Sequence, residues 1–174
     1  MKIMVNGGHF PGLDPGAIGR QSEEALICRE LMELTAGYLM AAGMEAVTVQ
    51  ENELADIVAA SNMSGADLFL SIHCNASKNP IPRGTETYYY SDEGKLLAAC
   101  VQQQIVRALH MADRGVKPGR WLYVLRNTEA VGILVETAFI SNAADELLLR
   151  EKTDAFARAI ARGVTDYESD CVKE

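Results

Sequence analysis

An α/β fold, with helices on both faces of a mostly parallel (mixed) central sheet of about six strands, is predicted by three observations. Short apolar runs alternate along the chain with segments of helical periodicity, which is the order that such a layered sandwich requires. Two of the runs, Asp67-Leu68-Phe69-Leu70-Ser71-Ile72 and Ile133-Leu134-Val135, are nearly continuous in apolar character, as strands covered on both faces must be. The chain has 174 residues, 48% of them hydrophobic, which suits one domain spanning 1–174 and large enough to close its own core.

The elements follow in order. Ile3-Met4-Val5 reads as a buried strand that runs into an ordered Gly- and Pro-rich loop from Gly7 to Gly19. From Ser22 to about Ala42, the residues Ala25, Leu26, Leu31, Leu34, Tyr38 and Leu39 recur near helical spacing; Ser22 serves as N-cap and Gly43 ends the helix. Val47-Thr48-Val49 is the next strand, and Glu53 to Met63 a second helix opening after Asn52. The Asp67–Ile72 strand is expected to stop at His73. Thr85 to Tyr90 is β-prone, Glu93 to Ala112 helical, and Trp121 to Leu125 strand-like. Ile133–Val135 makes one more buried strand, stopping at Glu136. Helices near Ala143–Glu151 and Asp154–Glu168 close the chain, the second with Phe156, Ala157, Ile160, Ala161 and Val164 on one face. There is no internal repeat, low-complexity tract or linker.

Composition excludes several functions. A net charge of −8 with no basic run argues against nucleic-acid binding, which needs Lys and Arg gathered on one face. No apolar run approaches the ~20 residues of a spanning helix, so membrane insertion is not expected. The start, Met1-Lys2-Ile3-Met4-Val5, meets Asn6-Gly7-Gly8 before any apolar stretch long enough for a signal-peptide core, so no export or anchoring segment is expected in this chain. Cys28, Cys74, Cys100 and Cys171 lack the paired spacings of zinc ribbons and redox loops, and no disulfide framework is expected.

Three polar residues stand where three apolar strands end: His9 beyond Val5, His73 after Ile72, and Glu136 after Val135. In open α/β sheets the carboxyl ends of the strands line the ligand crevice, so all three can meet there. Two imidazoles and a carboxylate at one sheet edge are the usual makings of a hydrolytic zinc site, provided a further carboxylate is available. Glu23-Glu24, opening the helix after the His9 loop, supplies it, and only one of the pair can face inward. Taken singly, each residue has a structural role to play instead: a polar cap for a histidine, a complement to the helix dipole for Glu23 or Glu24. Glu136 resists that account, because a carboxylate set between Ile133-Leu134-Val135 and Thr137-Ala138-Phe139-Ile140 is costly to bury unless it is paired or used. His110, near a helix end, reads as solvated or dipole-complementing. Gly7-Gly8 lacks the spacing of a phosphate loop and no Lys-Ser/Thr follows. Cys74, next to His73 in a strand, points to the opposite face and reads as a small core residue.

These residues resemble the zinc-dependent N-acetylmuramoyl-L-alanine amidases of bacterial autolysins and phage endolysins. The resemblance runs through Gly8-His9 with Asp14-Pro15-Gly16-Ala17, Glu24, Ser71-Ile72-His73-Cys74-Asn75-Ala76, Arg83-Gly84-Thr85-Glu86, and Leu134-Val135-Glu136-Thr137-Ala138-Phe139-Ile140-Ser141-Asn142. It implies a single catalytic domain that uses one Zn2+ ion to hydrolyse the amide between the lactyl group of N-acetylmuramic acid and the L-alanine of the stem peptide. By the resemblance His9, Glu24 and His73 are the zinc ligands and Glu136 is the catalytic carboxylate; counting back from Gly43 aligns Glu24, not Glu23, with the family's ligand. Asn75 is assigned to substrate binding, its side chain able to hold a ligand or a substrate amide by hydrogen bonding, although no motif requires it. The implied partner is peptidoglycan, met outside the cell by a holin-released endolysin or a secreted domain, with attachment supplied by a separate wall-binding domain or protein. Asn6-Gly7 replaces the family's usual Asp-Pro ahead of Gly-His, which bears on how the loop is braced. The turn at Ser91-Asp92-Glu93-Gly94-Lys95 is too short for the inhibitory helix that some relatives insert, so an open site is expected. Two other functions fit the same scaffold. A zinc peptidase would need a buried Arg for a terminal carboxylate, with Arg83, Arg120 and Arg126 as candidates, and a non-catalytic wall-binding module would have lost part of the site.

Overall fold

A computed structural model of the chain describes residues 1–171, with Cys171 described as backbone only. Six strands form one sheet: β1 (Lys2–Gly7), β2 (Glu45–Val49), β3 (Leu68–Asn75), β4 (Thr85–Tyr89), β5 (Asp113–Pro118) and β6 (Val131–Phe139), in the spatial order β2-β1-β3-β6-β4-β5. β2, β1, β3 and β6 are mutually parallel, β4 runs antiparallel to β6, and β5 runs parallel to β4. The helices are α1 (Glu24–Ala41), α2 (Leu54–Ser64), α3 (Asp92–Leu109), α4 (Tyr123–Asn127), α5 (Ala143–Glu151) and α6 (Thr153–Cys171). The expected mixed sheet flanked by helices is therefore present. None of the helices is long and apolar enough to cross a membrane, among the described residues.

The two faces are covered unequally, and the inequality makes room for the site. α1, α3 and α6 bury one face completely over Ile3, Val5, Leu70, Ile72, Ile133 and Val135. The other face carries Met4, Phe69 and Leu134 under α2 and the short α4. Because side chains alternate along a strand, the residues two and four places beyond those apolar ones share their face. They are Asn6 on β1, Ser71 and His73 on β3, and Glu136 on β6, and they lie past the reach of α2 and α4. Cys74 faces the opposite way, as expected, and is buried with Cys28.

Several boundaries differ from the expectations, each for a physical reason. β3 and β6 do not stop at His73 and Glu136 but continue through them to Asn75 and Phe139. A polar side chain does not end a strand, because the ladder is made by backbone groups that still need partners. Trp121–Leu125 is not a strand: its chain turns into α4, which buries the adjacent residues Val124 and Leu125, a short apolar run whose period could not decide between the two states. β5 had no expected counterpart, since Asp113-Arg114-Gly115-Val116-Lys117-Pro118 carries only one large apolar residue; it is an edge strand, where charge and proline are tolerated. Ser22 is not the cap of α1. The N-cap is Glu23, without a side-chain cap bond, while the Ser22 hydroxyl donates to Glu146 at 2.7 Å. Only Tyr90 and Ser91 separate β4 from α3, and the Ser91 hydroxyl caps α3 by accepting from the Gly94 amide, so no inserted helix occupies that turn.

Candidate functional site

The chain passes from β1 through α1 to β2 on one side, then through α2 to β3 on the other. The boundary between β1 and β3 is thus a topological switch point, where the connecting loops diverge and leave a crevice. His9 follows β1 and His73 lies on β3, so both stand at that crevice. α1 begins beside it and brings Glu24 in from the side.

The three come together. His9 Nε2 lies 3.2 Å from Glu24 Oε2, and His73 Nδ1 lies 3.1 Å from Glu24 Oε1. One donor atom from each residue lies within 4.8 Å of the other two. The imidazole rings meet edge to face at 5.2 Å between centroids. Glu24 is buried, whereas Glu23 is exposed at the helix cap, so the geometry brings the former to the histidines and turns the latter away. Each Glu24 oxygen also accepts a backbone N–H, Oε2 from Ala17 at 2.9 Å and Oε1 from Cys74 at 3.0 Å. Burial alone would push this carboxyl up, yet the two imidazoles and the amides hold it well below the ordinary carboxylate range. His9 is the counterpart: bonding to Glu24 and to Asp14 outweighs burial and raises it to about 9.

The loop holding His9 is built for close approach. His9 itself adopts a left-handed backbone, φ 60°, a conformation that His tolerates better than most residues and that here aims the ring inward. Asp14 braces it from behind, accepting at 2.7 Å from His9 Nδ1 while its other oxygen accepts from the Gly16 amide at 3.0 Å. Asn6 serves the neighbouring strands instead, donating to the Val49 carbonyl and accepting from Ser71 Oγ at 2.7 Å. A Cβ on Gly8 would lie 2.3 Å from the His73 ring, and one on Gly16 would lie 2.6 Å from the His9 ring. Both glycines are required by space.

Glu136 is paired in register with His73 on β3 and with Glu86 on β4, which puts a row of three polar residues side by side across the sheet. Its Oε2 is buried without a hydrogen-bond partner. Burial pushes this carboxyl up to about 7, with the Glu24 and Glu86 charges adding to the rise and His73 opposing it. Asn75 is tied to Glu86, its amide donating to Oε1 at 3.0 Å. His110 lies apart as the left-handed C-cap of α3. None of Arg83, Arg120 and Arg126 is buried.

Glu86, Asp14, Arg114 and Lys117 gained no role from the sequence, although Glu86 and Asp14 lie within the motifs quoted above. For Glu86 the available signal was a carboxylate in a β-prone run, two residues before Tyr88 and so on the same face. For Asp14 there was none short of the fold, because its contact with His9 depends on the loop doubling back through the Phe10–Asp14 bridge.

A family model described as N-acetylmuramoyl-L-alanine amidase matches residues 3–166. The sequence is 35% identical over 175 residues to the N-acetylmuramoyl-L-alanine amidase LytC of Bacillus subtilis (strain 168), an alignment covering 95% of this chain and 35% of that protein. The chain therefore spans about a third of the length of that relative. The crystal structure of an N-acetylmuramoyl-L-alanine amidase from Clostridium difficile 630 superposes with a TM-score of 0.90 at 30% identity, covering 98% of this chain and 97% of that one. The amidase AmiC2 of Nostoc punctiforme gives a TM-score of 0.90 at 32% identity, with 97% of each chain covered.

Proposed function

The chain belongs to the N-acetylmuramoyl-L-alanine amidase family, and from that premise we propose that residues 1–174 act as one catalytic domain that hydrolyses the amide between N-acetylmuramic acid and L-alanine in bacterial peptidoglycan. The single observation that carries this reading is the convergence of His9, Glu24 and His73 within 4.8 Å, beside the partly buried Glu136, one of whose oxygens is buried and unpartnered.

The donor set fits Zn2+, for which two imidazoles and one carboxylate are a common hydrolytic combination. Bound by those three residues, the ion would polarise the scissile carbonyl and make water acidic enough to react near neutral pH. Asp14 orients the His9 ring, and the Ala17 and Cys74 amides fix the Glu24 carboxylate, so the donors need little rearrangement. Glu136 takes a proton from the attacking water, then delivers it to the nitrogen of L-alanine, which leaves as an amine instead of an amide anion. A carboxyl lifted toward neutrality suits both directions of transfer. Asn75, its amide committed to Glu86, turns its carbonyl oxygen to a substrate N–H.

The reading is tested on intact peptidoglycan. Stem peptides with a free N-terminal L-alanine should be released, a chelator should stop the release, and added Zn2+ should restore it. Cleavage within the peptide instead would favour the peptidase alternative, which the exposure of Arg83, Arg120 and Arg126 already disfavours. Zinc-free protein purified without chelator, inert toward walls, would point to a binding module. Since the chain carries a net charge of −8, wall attachment comes from specific contacts or from a separate binding segment. Asp14→Asn is expected to weaken Zn2+ binding about 10–100-fold, as loss of a hydrogen bond behind a ligating histidine does. Competition against a chromophoric chelator measures this, and unaltered affinity would remove Asp14 from the site.

A further inference from the structure

On the far side of Glu136 from the histidines, the sheet face continues into a cationic spot that the reaction described so far does not use. Glu86 is buried there and receives four donors: Asn75 Nδ2 at 3.0 Å, the Tyr88 hydroxyl at 2.8 Å, Arg114 Nε at 2.7 Å and Lys117 Nζ at 2.6 Å. Two cations on one carboxylate leave a net positive charge, which holds Glu86 below its usual range despite burial. Both cationic side chains remain about a third exposed, at 36% and 37%. Arg114 reaches this face because β5 bulges: Arg114 and Gly115 together oppose Glu86, between the pairs Thr85–Asp113 and Thr87–Val116. Its guanidinium also lies 4.8 Å from the centre of the Phe139 ring, a cation–π contact. An edge strand needs neither the bulge nor two cations to pair one acid.

On the histidine side of Glu136 lies a cleft of about 340 Å³, lined by His9 and His73 themselves with Asp14, Glu51, Asn52 and Tyr123 and with no Lys or Arg among its described lining residues. The peptide half of the substrate is the half that carries carboxylates. From β6 to β5 is two strand spacings, about 10 Å. Two residues of extended chain cover about 7 Å, and a carboxylate borne on the second reaches the rest of the way.

We propose that Arg114 and Lys117, held by Glu86, receive the free carboxylate of the second stem-peptide residue. The peptide then runs from Glu136 across β4 to β5 and the glycan lies over the cleft beside β1 and α2. This rests on the amidase reading and adds to it a polarity of binding and a preference among walls: those with an unmodified acid at that position are cut faster than those with an amide.

Two synthetic disaccharide-pentapeptides that differ only at the second residue, isoglutamate or isoglutamine, test this with the full chain loaded with Zn2+. The parent protein should prefer the acid about tenfold in kcat/KM, through KM, the size expected of a charge-assisted contact discounted for its exposure. Lys117→Gln and Arg114→Gln should each bring that ratio toward one. If the parent cuts the two equally, or if the variants slow both substrates alike and keep the ratio, the cations only brace the edge strand and the subsite is refuted. Release of L-alanine amine from neither compound or from walls would refute the amidase reading itself, and the subsite with it.

Discussion

Glu136→Gln is expected to lower the release of stem peptides from peptidoglycan by at least ~10²-fold, the low end of what a positioned proton-transfer group contributes. Bound zinc and melting temperature should stay close to those of the parent. The expectation separates proton handling from metal binding, because Glu136 is not among the three residues that converge on the metal position. Glutamine preserves the shape and one acceptor oxygen but cannot take up or give back a proton. Glu136 Oε2 is buried and unpartnered in the parent, and glutamine leaves an equally polar atom there, so stability should stay close to the parent's. Zinc content by mass spectrometry, a thermal melt and an amine-release assay on one preparation make the comparison. A variant as active as the parent would falsify the role given to Glu136.

Glu24→Ala has the second large expected effect, and it differs in kind: both zinc and stability should fall. The Glu24 carboxylate accepts two backbone amides and faces both imidazoles from a buried position. Alanine strands the Ala17 and Cys74 amides and leaves His9 and His73 without their shared anion. Breaking a buried charged pair in this way costs about 3–5 kcal/mol. Glu23→Ala is the control, since an exposed side chain without a cap bond should change stability by no more than about 0.5 kcal/mol and leave activity intact. Urea unfolding and a zinc-binding titration would decide the matter. If Glu23→Ala loses the metal and Glu24→Ala keeps it, the ligand assignment is reversed.

Much of this site was legible before the fold was known, for a reason visible in β1, β3 and β6. Apolar runs long enough to be buried strands announced where the sheet would lie, and parallel strands bring their carboxyl ends to one edge. His9, His73 and Glu136 could therefore be grouped although they are far apart in the chain. The choice between Glu23 and Glu24 depended on resemblance, because their position at the opening of a helix left the inward-facing residue undetermined. α4 and β5 were misread or missed because each is short and held by its surroundings: α4 by Val124 and Leu125 under the partly covered face, β5 by pairing with β4. Local pattern carries little information about such segments.

By itself, then, the sequence determined the α/β class, the strands that make the centre of the sheet, and the polar residues available at its carboxyl edge, since periodicity and burial are properties of each segment taken alone. Only the tertiary structure decided the rest. It turned Glu24 inward, set Asp14 behind His9, and brought Glu86 opposite Glu136 with Arg114 and Lys117 beside it. Those contacts depend on strand order, register and one bulge, and each couples residues from elements whose adjacency no local stretch of chain encodes.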